Sequence, residues 1–145
     1  MRYYLNGKGR CIEVPEYSKE AGRPIDLWDC KSQGKRHNQE WYIKGPYLDK
    51  VGRWGYLIYN RHSGQCLNVA GADTRAGARV IQWPCNSKHQ NSLWHWKRND
   101  YGKGQRLANS NSNMCMNVGS NSTANGAWLT QWNCKRNAPS QSLFF

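Results

Sequence analysis

The sequence predicts a closed, all-β fold built from three equivalent repeats, and three observations lead to it. Cys11 and Cys30, Cys66 and Cys85, and Cys115 and Cys134 stand 19 residues apart in every case. Aligned on these cysteines, Cys11-Ile12-Glu13-Val14, Cys66-Leu67-Asn68-Val69 and Cys115-Met116-Asn117-Val118 fall into register. So do Trp28, Trp83 and Trp132, two residues before the second cysteine, and Gly22, Gly77 and Gly126, eight before it. The steps from Cys11 to Cys66 and from Cys66 to Cys115, 55 and 49 residues, have the period of repeat architectures. Finally, the apolar signals are short β-branched and aromatic runs between turn residues, and no stretch shows a helical face.

In repeat 1, Tyr3-Tyr4-Leu5, Cys11 to Val14, Ile25-Asp26-Leu27-Trp28 and Trp41-Tyr42-Ile43 read as strands. Asn6-Gly7-Lys8-Gly9, Ala21-Gly22-Arg23-Pro24 and Gln33-Gly34-Lys35 read as the turns between them. Gly9, Gly64 and Asn113, two residues before each first cysteine, are types that accept positive φ and predict a tight turn there. Lys44 to Gly55 and Lys97 to Gln105 fit hairpins between neighbouring strands. Four strands in each of three repeats make twelve. One repeat cannot bury its own apolar face, so the three must share a core. Residues 1–145 are expected to form a single domain, with repeats at about 1–50, 51–101 and 102–145.

Only 38% of the 145 residues are hydrophobic, and 14 glycines and 5 prolines interrupt them, so apolar burial per residue is modest. Six cysteines, an even number without a Cys-x-x-Cys, favour three disulfides over a metal site and an oxidising compartment over the cytosol. Closing a loop of this size contributes about 3 kcal/mol in the chain-entropy view. Met1-Arg2-Tyr3-Tyr4 opens no signal peptide and no run is long enough to span a bilayer, so a mature secreted protein or an excised domain is expected. The formal charge of +12 raises polyanions as partners. Its distribution argues against nucleic acid: 10 basic residues face 7 acidic over 1–50, 7 face 2 over 51–100, and 4 face none over 101–145. Such an even spread suits a solvated basic surface, although sulfated or sialylated glycans would feel its field.

Cys11-Ile12-Glu13-Val14, Ile25-Asp26-Leu27-Trp28-Asp29-Cys30 and Asn38-Gln39-Glu40-Trp41 together resemble the ricin B-type (R-type) lectin repeat, carbohydrate-binding module family 13, with its Gln-x-Trp hallmark. The closing motif diverges to Asn91-Ser92-Leu93-Trp94 in repeat 2 and to Gln141-Ser142-Leu143-Phe144 in repeat 3. The resemblance implies a β-trefoil with up to three shallow sugar sites and no catalysis of its own. It implies that Trp41, Trp94 and Phe144 are threefold-related core residues, and that Trp28, Trp83 and Trp132 lie flat under sugar rings. Stacking suits an indole, whose negative face meets the apolar, slightly positive C–H face of a pyranose. A second core aromatic beside each disulfide is the open alternative for these three tryptophans.

The family's acceptor is an Asp two residues after the first cysteine, where this chain has Glu13, Asn68 and Asn117. Glu13 keeps the charge on a longer arm, whereas the asparagines offer one acceptor and one donor group. The remaining family contacts map in repeat 1 onto Asp26, Asn38 and Gln39, which makes it the best-equipped repeat. Repeat 2 has Asn68, Trp83 and Asn91, with Ile81 and Ser92 at the other contact positions, and repeat 3 has Asn117, Thr130, Trp132 and Gln141.

Glycan hydrolysis needs two carboxylates across a cleft. Asp26 and Asp29 stand too close, Glu13, Glu16 and Glu20 share one segment, and repeat 3 has no acid. His37, His62, His89 and His95 show no ligand spacing, so no metal or other cofactor is expected. Asn121-Ser122-Thr123 is a glycosylation sequon. The function expected is therefore noncatalytic glycan binding, with a fused or associated enzyme or toxin subunit as a partner. The rivals are an interaction or toxin-delivery subunit whose pockets have degenerated, with Trp54, Trp96 and Trp128 as anchors, and a binder of anionic glycans.

Overall fold

A computed structural model describes residues 3–5, 9–98 and 104–144. Repeat 1 carries β1 (Tyr4–Leu5), β2 (Arg10–Glu13), β3 (Asp26–Asp29) and β4 (Trp41–Leu48). Repeat 2 carries β5 (Trp54–Asn60), β6 (Cys66–Val69), β7 (Val80–Trp83) and β8 (Trp94–Arg98). Repeat 3 carries β9 (Gln105–Asn109), β10 (Cys115–Val118), β11 (Leu129–Trp132) and β12 (Leu143–Phe144). All pairings are antiparallel, and this is the expected all-β trefoil. The Asn6 to Lys8 part of the first expected turn and residues 99–103 between β8 and β9 lie outside the described residues, but β8 and β9 pair over five residues as a hairpin requires.

The Cys, apolar, polar, Val pattern places one residue of each repeat's second strand in each of three settings. Ile12, Leu67 and Met116 enter the common core, joined by Val14, Val69 and Val118. Cys11, Cys66 and Cys115 turn the other way into disulfides with Cys30, Cys85 and Cys134, as the spacing predicts. Glu13, Asn68 and Asn117 lie one residue further on, buried beneath the surface. Gly64 and Asn113 adopt positive φ, 71° and 59°, in the tight turns ahead of Cys66 and Cys115.

Trp41 and Trp94 are fully buried, and their indole Nε1 groups donate to the carbonyls of Ile12 (2.9 Å) and Leu67 (3.0 Å). Their threefold counterpart is Leu143 rather than Phe144. The short 3-10 turns His37–Gln39, Gln90–Ser92 and Pro139–Gln141 precede these residues, and each core side chain stands two residues beyond its turn. Leu143 is accordingly buried in the core, whereas Phe144 is half-buried. The same register makes Gln141 the equivalent of Gln39, and Ser140 the equivalent of Asn38 and Asn91.

The β2–β3, β6–β7 and β10–β11 hairpins interlock around the threefold axis through backbone hydrogen bonds. Ile25 N donates to Val80 O, Leu27 N to Ala127 O, Leu129 N to Ile25 O, and Gln131 N to Ala78 O. Gly22, Gly77 and Gly126 sit at these crossings with φ of 90°, 92° and 83°, a region that side-chain-bearing residues rarely adopt. Each amide donates to a neighbouring repeat: Gly22 to Gln82 O, Gly77 to Gln131 O and Gly126 to Leu27 O.

Replacing Trp94 with Ala should cost about 3–5 kcal/mol, the range for emptying a packed aromatic site. Replacing the half-exposed Trp83 should cost no more than about 1 kcal/mol. Denaturant unfolding of the oxidised protein measures both, and equal losses would contradict this division between core and surface.

Candidate functional site

Each repeat opens a pocket at the tryptophan two residues before its second disulfide cysteine, with volumes of about 350 Å³ in repeat 1, about 410 Å³ in repeat 2 and about 470 Å³ in repeat 3. Trp28, Trp83 and Trp132 line them and are 41%, 42% and 42% exposed, so the core alternative for these residues is not realised. Each indole rests its edge on a glycine of another repeat. A Cβ on Gly126, Gly22 or Gly77 would lie 3.8, 3.9 or 3.6 Å from Cζ3 of Trp28, Trp83 or Trp132 respectively. The loops Pro15–Tyr17, Ala70–Ala72 and Gly119–Asn121 form the opposite walls. Two consecutive residues in each are left-handed: Glu16 and Tyr17, Gly71 and Ala72, Ser120 and Asn121. Side-chain-bearing residues in this conformation cost of order 1 kcal/mol or more, and such strain concentrates at working sites.

The three floors differ because the cross-strand pair beneath each tryptophan differs. In repeat 1, Glu13 faces Asp26 across β2 and β3, with both side chains almost fully buried and both lining the pocket. Burial, then the Glu13 charge and a hydrogen bond between the two carboxyls, pushes Asp26 up to about 8. The pair therefore shares a proton at neutral pH, and Asp26 Oδ1 has no hydrogen-bond partner. Lys31 Nζ stands 3.5 Å from Glu13 Oε1 and 4.1 Å from the centroid of the Tyr17 ring. Asn68 faces Ile81 in repeat 2, and Asn117 faces Thr130 in repeat 3, so neither floor carries a charge.

Asn38 and Gln39 are not at the pocket surface. Both are fully buried behind Glu13, because the 3-10 turn that carries them packs under β2. Gln39 Nε2 donates to Glu13 Oε1 (3.1 Å) and to Asp29 O (2.9 Å), while Asn38 Nδ2 donates to Val14 O (2.9 Å) and lies 3.4 Å from Glu13 Oε1. They hold the acid from behind. Gln141 repeats the Gln39 clamp, accepting from Lys135 N and donating to Asn133 O, both at 2.8 Å. Asn91 lines the repeat 2 pocket and donates to Asn68 Oδ1 and Val69 O, both at 3.0 Å, while Asn68 donates to Ser92 Oγ (2.7 Å).

Several lining residues are not among the sugar contacts expected from the sequence. Lys31 and Lys135 both follow the second cysteine, a coincidence that the cysteine alignment contains. His89 enters the repeat 2 pocket, and Asn121 of the sequon enters that of repeat 3. Trp128, expected from the sequence only as an anchor for a partner protein, has no signal that places it at a pocket. It comes from repeat 3 to wall the repeat 1 pocket, held under the Arg79 guanidinium at 4.7 Å, and only the hairpin interlock brings it there. Among the described residues no helix is long and apolar enough to cross a membrane.

The model of the ricin-type beta-trefoil lectin domain-like family matches residues 37–132. Among solved structures, the designed threefold-symmetric protein ThreeFoil is similar at a TM-score of 0.81 and 26% identity, over 99% of this chain and 96% of that one. The C-half of the earthworm R-type lectin, solved in complex with GalNAc, has a TM-score of 0.70 and 15% identity, over 99% and 94%. The exo-beta-1,3-galactanase 1,3Gal43A from Clostridium thermocellum has a TM-score of 0.79 and 22% identity, over 99% of this chain but only 29% of the enzyme. No curated protein sequence matches the chain.

The Asp26 proton sets a pH dependence of stability. The carboxyl is raised from 3.8 in the unfolded chain to about 8 in the fold, so the folded state binds the extra proton between those values. Stability should fall as pH rises from about 4 to about 8 and level off above. In Asp26→Asn this component vanishes, and melting temperatures from pH 4 to 9 should show the variant gaining on the parent as pH rises. Parallel curves would refute the shared proton.

Proposed function

The chain belongs to the ricin-type beta-trefoil lectin domain-like family, and from this membership we propose that it binds glycans without catalysing their cleavage, stacking a sugar ring on Trp28, Trp83 or Trp132. The observation that carries this reading is the equal half-exposure of three tryptophans in threefold-related pockets. A large aromatic that is held rigidly and left half in water loses burial energy. A fold that does this three times in register is presenting a surface to a ligand.

Repeat 1 is the best-equipped pocket. Glu13 accepts sugar hydroxyls, Asp26 supplies the proton the pair holds, Lys31 adds a donor, and Asn38 and Gln39 keep Glu13 in place. In repeats 2 and 3, Asn68 with Asn91, and Asn117 with Thr130, offer neutral contacts around Trp83 and Trp132. A charged acceptor forms the stronger hydrogen bonds, so a sugar presenting adjacent hydroxyls favours repeat 1. Shallow sites of this kind are individually weak, and affinity for a multivalent glycan comes from engaging several at once. Three disulfides suit an extracellular setting. The 29% share of the galactanase matched by this chain suits a targeting module attached to a larger enzyme.

A second reading, attachment to a partner protein, draws on the β4–β5 hairpin. Leu48, Val51 and Trp54 are 60%, 64% and 58% exposed there, on a turn fixed by Asp49, which accepts from Val51 N (3.0 Å) and Arg53 N (2.9 Å). Of the other anchors considered, Trp128 walls the repeat 1 pocket, and Trp96 is half-buried against Tyr3.

A glycan array at low and high salt, with Trp28, Trp83 and Trp132 replaced singly and together by Ala, tests the proposal. Single variants should weaken binding to a neutral glycan by about tenfold or less, at about 0.5–1.5 kcal/mol per stacked ring, and the triple variant should abolish it. Raising the salt should leave stacking-driven binding nearly unchanged. A protein that binds no glycan at either salt would leave the attachment reading in its place.

A further inference from the structure

A groove of about 700 Å³ belongs to none of the three threefold-related pockets. It lies on the outer face of the barrel, between the β4–β5 hairpin and the Cys66–Cys85 disulfide. Its apolar base is a small cluster separate from the common core, in which buried Leu57, Cys66 and Leu93 carry Tyr47 and Tyr59. Tyr59 is held by Tyr42, whose ring centroid is 5.5 Å away, so the aromatic wall is preformed. Repeat 3 builds no equivalent of this groove, because the repeats diverge. The β4–β5 ladder shifts register between Lys44 and Tyr47, and this irregularity brings Tyr47 over the cluster. In repeat 3, strand register puts Ala108 where Tyr59 stands and Arg106 where Leu57 stands, so the aromatic and the apolar base are both missing.

The polar lining is one-sided. Lys44, Asn86 and Ser87 border the groove together with the hydroxyl-bearing Tyr47 and Tyr59, and among the described residues no acid lines it. Asn86 Oδ1 accepts from Lys88 N (3.0 Å), which leaves its Nδ2 as the available group. Among the described residues, Lys44 Nζ, Asn86 Nδ2, Ser87 Oγ and the two tyrosine hydroxyls have no hydrogen-bond or ion-pair partner. Donors without an opposing acid select a ligand rich in acceptors, and one free ammonium matches one negative charge. The tyrosine rings add the flat apolar contact a pyranose face requires.

We infer that this groove is a fourth saccharide site that binds a sugar bearing a single carboxylate, a uronic or sialic acid residue, with its ring against Tyr47 and Tyr59 and its carboxylate on Lys44. The site is independent of the tryptophan platforms and goes beyond the neutral-glycan binding proposed for them.

Calorimetric titration with trigalacturonate and with sialyllactose, using neutral galactotriose and lactose as controls, separates the two carboxylate sources. Lys44→Gln should weaken binding of the acidic sugar about tenfold, the scale of one hydrogen bond to a charged group, and leave the neutral sugars unchanged. The triple Trp28→Ala, Trp83→Ala, Trp132→Ala variant should bind the acidic sugar within twofold of the parent while losing the neutral ones, so failure here and failure of the platform proposal are distinguishable. As a measurement that needs no variant, amide resonances of Asn86 and Ser87 in the parent protein should shift during titration with the acidic sugar, ahead of the three platform indole resonances. Unchanged binding by Lys44→Gln, shifts confined to the platform indoles, or no binding of either acidic sugar at millimolar concentration would each overturn the inference.

Discussion

The three hairpins around the pseudo-threefold axis hydrogen-bond to one another through their backbones, each crossing its neighbours where a glycine with positive φ allows close approach. This interlock joins stability to site construction. It closes a ring of repeats over the core formed by Ile12, Leu67, Met116 and their partners, which no repeat could bury by itself. It also sets the glycine of one repeat beneath the tryptophan of another, so that Gly22 supports Trp83, Gly77 supports Trp132 and Gly126 supports Trp28. Each pocket is thus a product of two repeats, and its platform is as rigid as the hairpin ring. Rigidity of this kind suits weak stacking contacts, because little ordering entropy remains to be lost on binding.

A symmetric scaffold need not give symmetric chemistry. The residue pair facing each other beneath the tryptophan is Glu13 and Asp26 in repeat 1, Asn68 and Ile81 in repeat 2, and Asn117 and Thr130 in repeat 3. Strand register keeps these positions equivalent in space, while the side chains make one floor ionisable and two neutral. In repeat 1, two carboxyls in a buried setting cannot both ionise cheaply, so the pair retains a proton near neutrality and Lys31 balances the remaining charge. Departure from symmetry goes further on the barrel exterior. There the irregular β4–β5 ladder and the tyrosines beside it build a groove that repeat 3 lacks.

The repeat architecture was legible because it is written in covalent spacing. Cysteines 19 apart, a Trp two before the second, and a Gly eight before it report local geometry that recurs three times, and the disulfides, the twelve strands and the half-exposed tryptophans agree with it. The closing motif was harder to place. Aligning Gln141-Ser142-Leu143-Phe144 on its aromatic shifted repeat 3 by one residue, since Phe resembles Trp more than Leu does. The 3-10 turn, which the sequence marks only weakly, assigns the core position to Leu143.

By itself, the sequence determined the fold class, the threefold repeat and the disulfide pairing, because these depend on neighbours along the chain and on a period. Only the tertiary structure decided which of the candidate site residues line a pocket and which lie behind it. Asn38 and Gln39 hold Glu13 from behind, and Trp128 crosses from repeat 3 to wall the pocket of repeat 1. Burial and inter-repeat contact depend on how three hairpins pack around a common axis, and no spacing within one repeat encodes that packing.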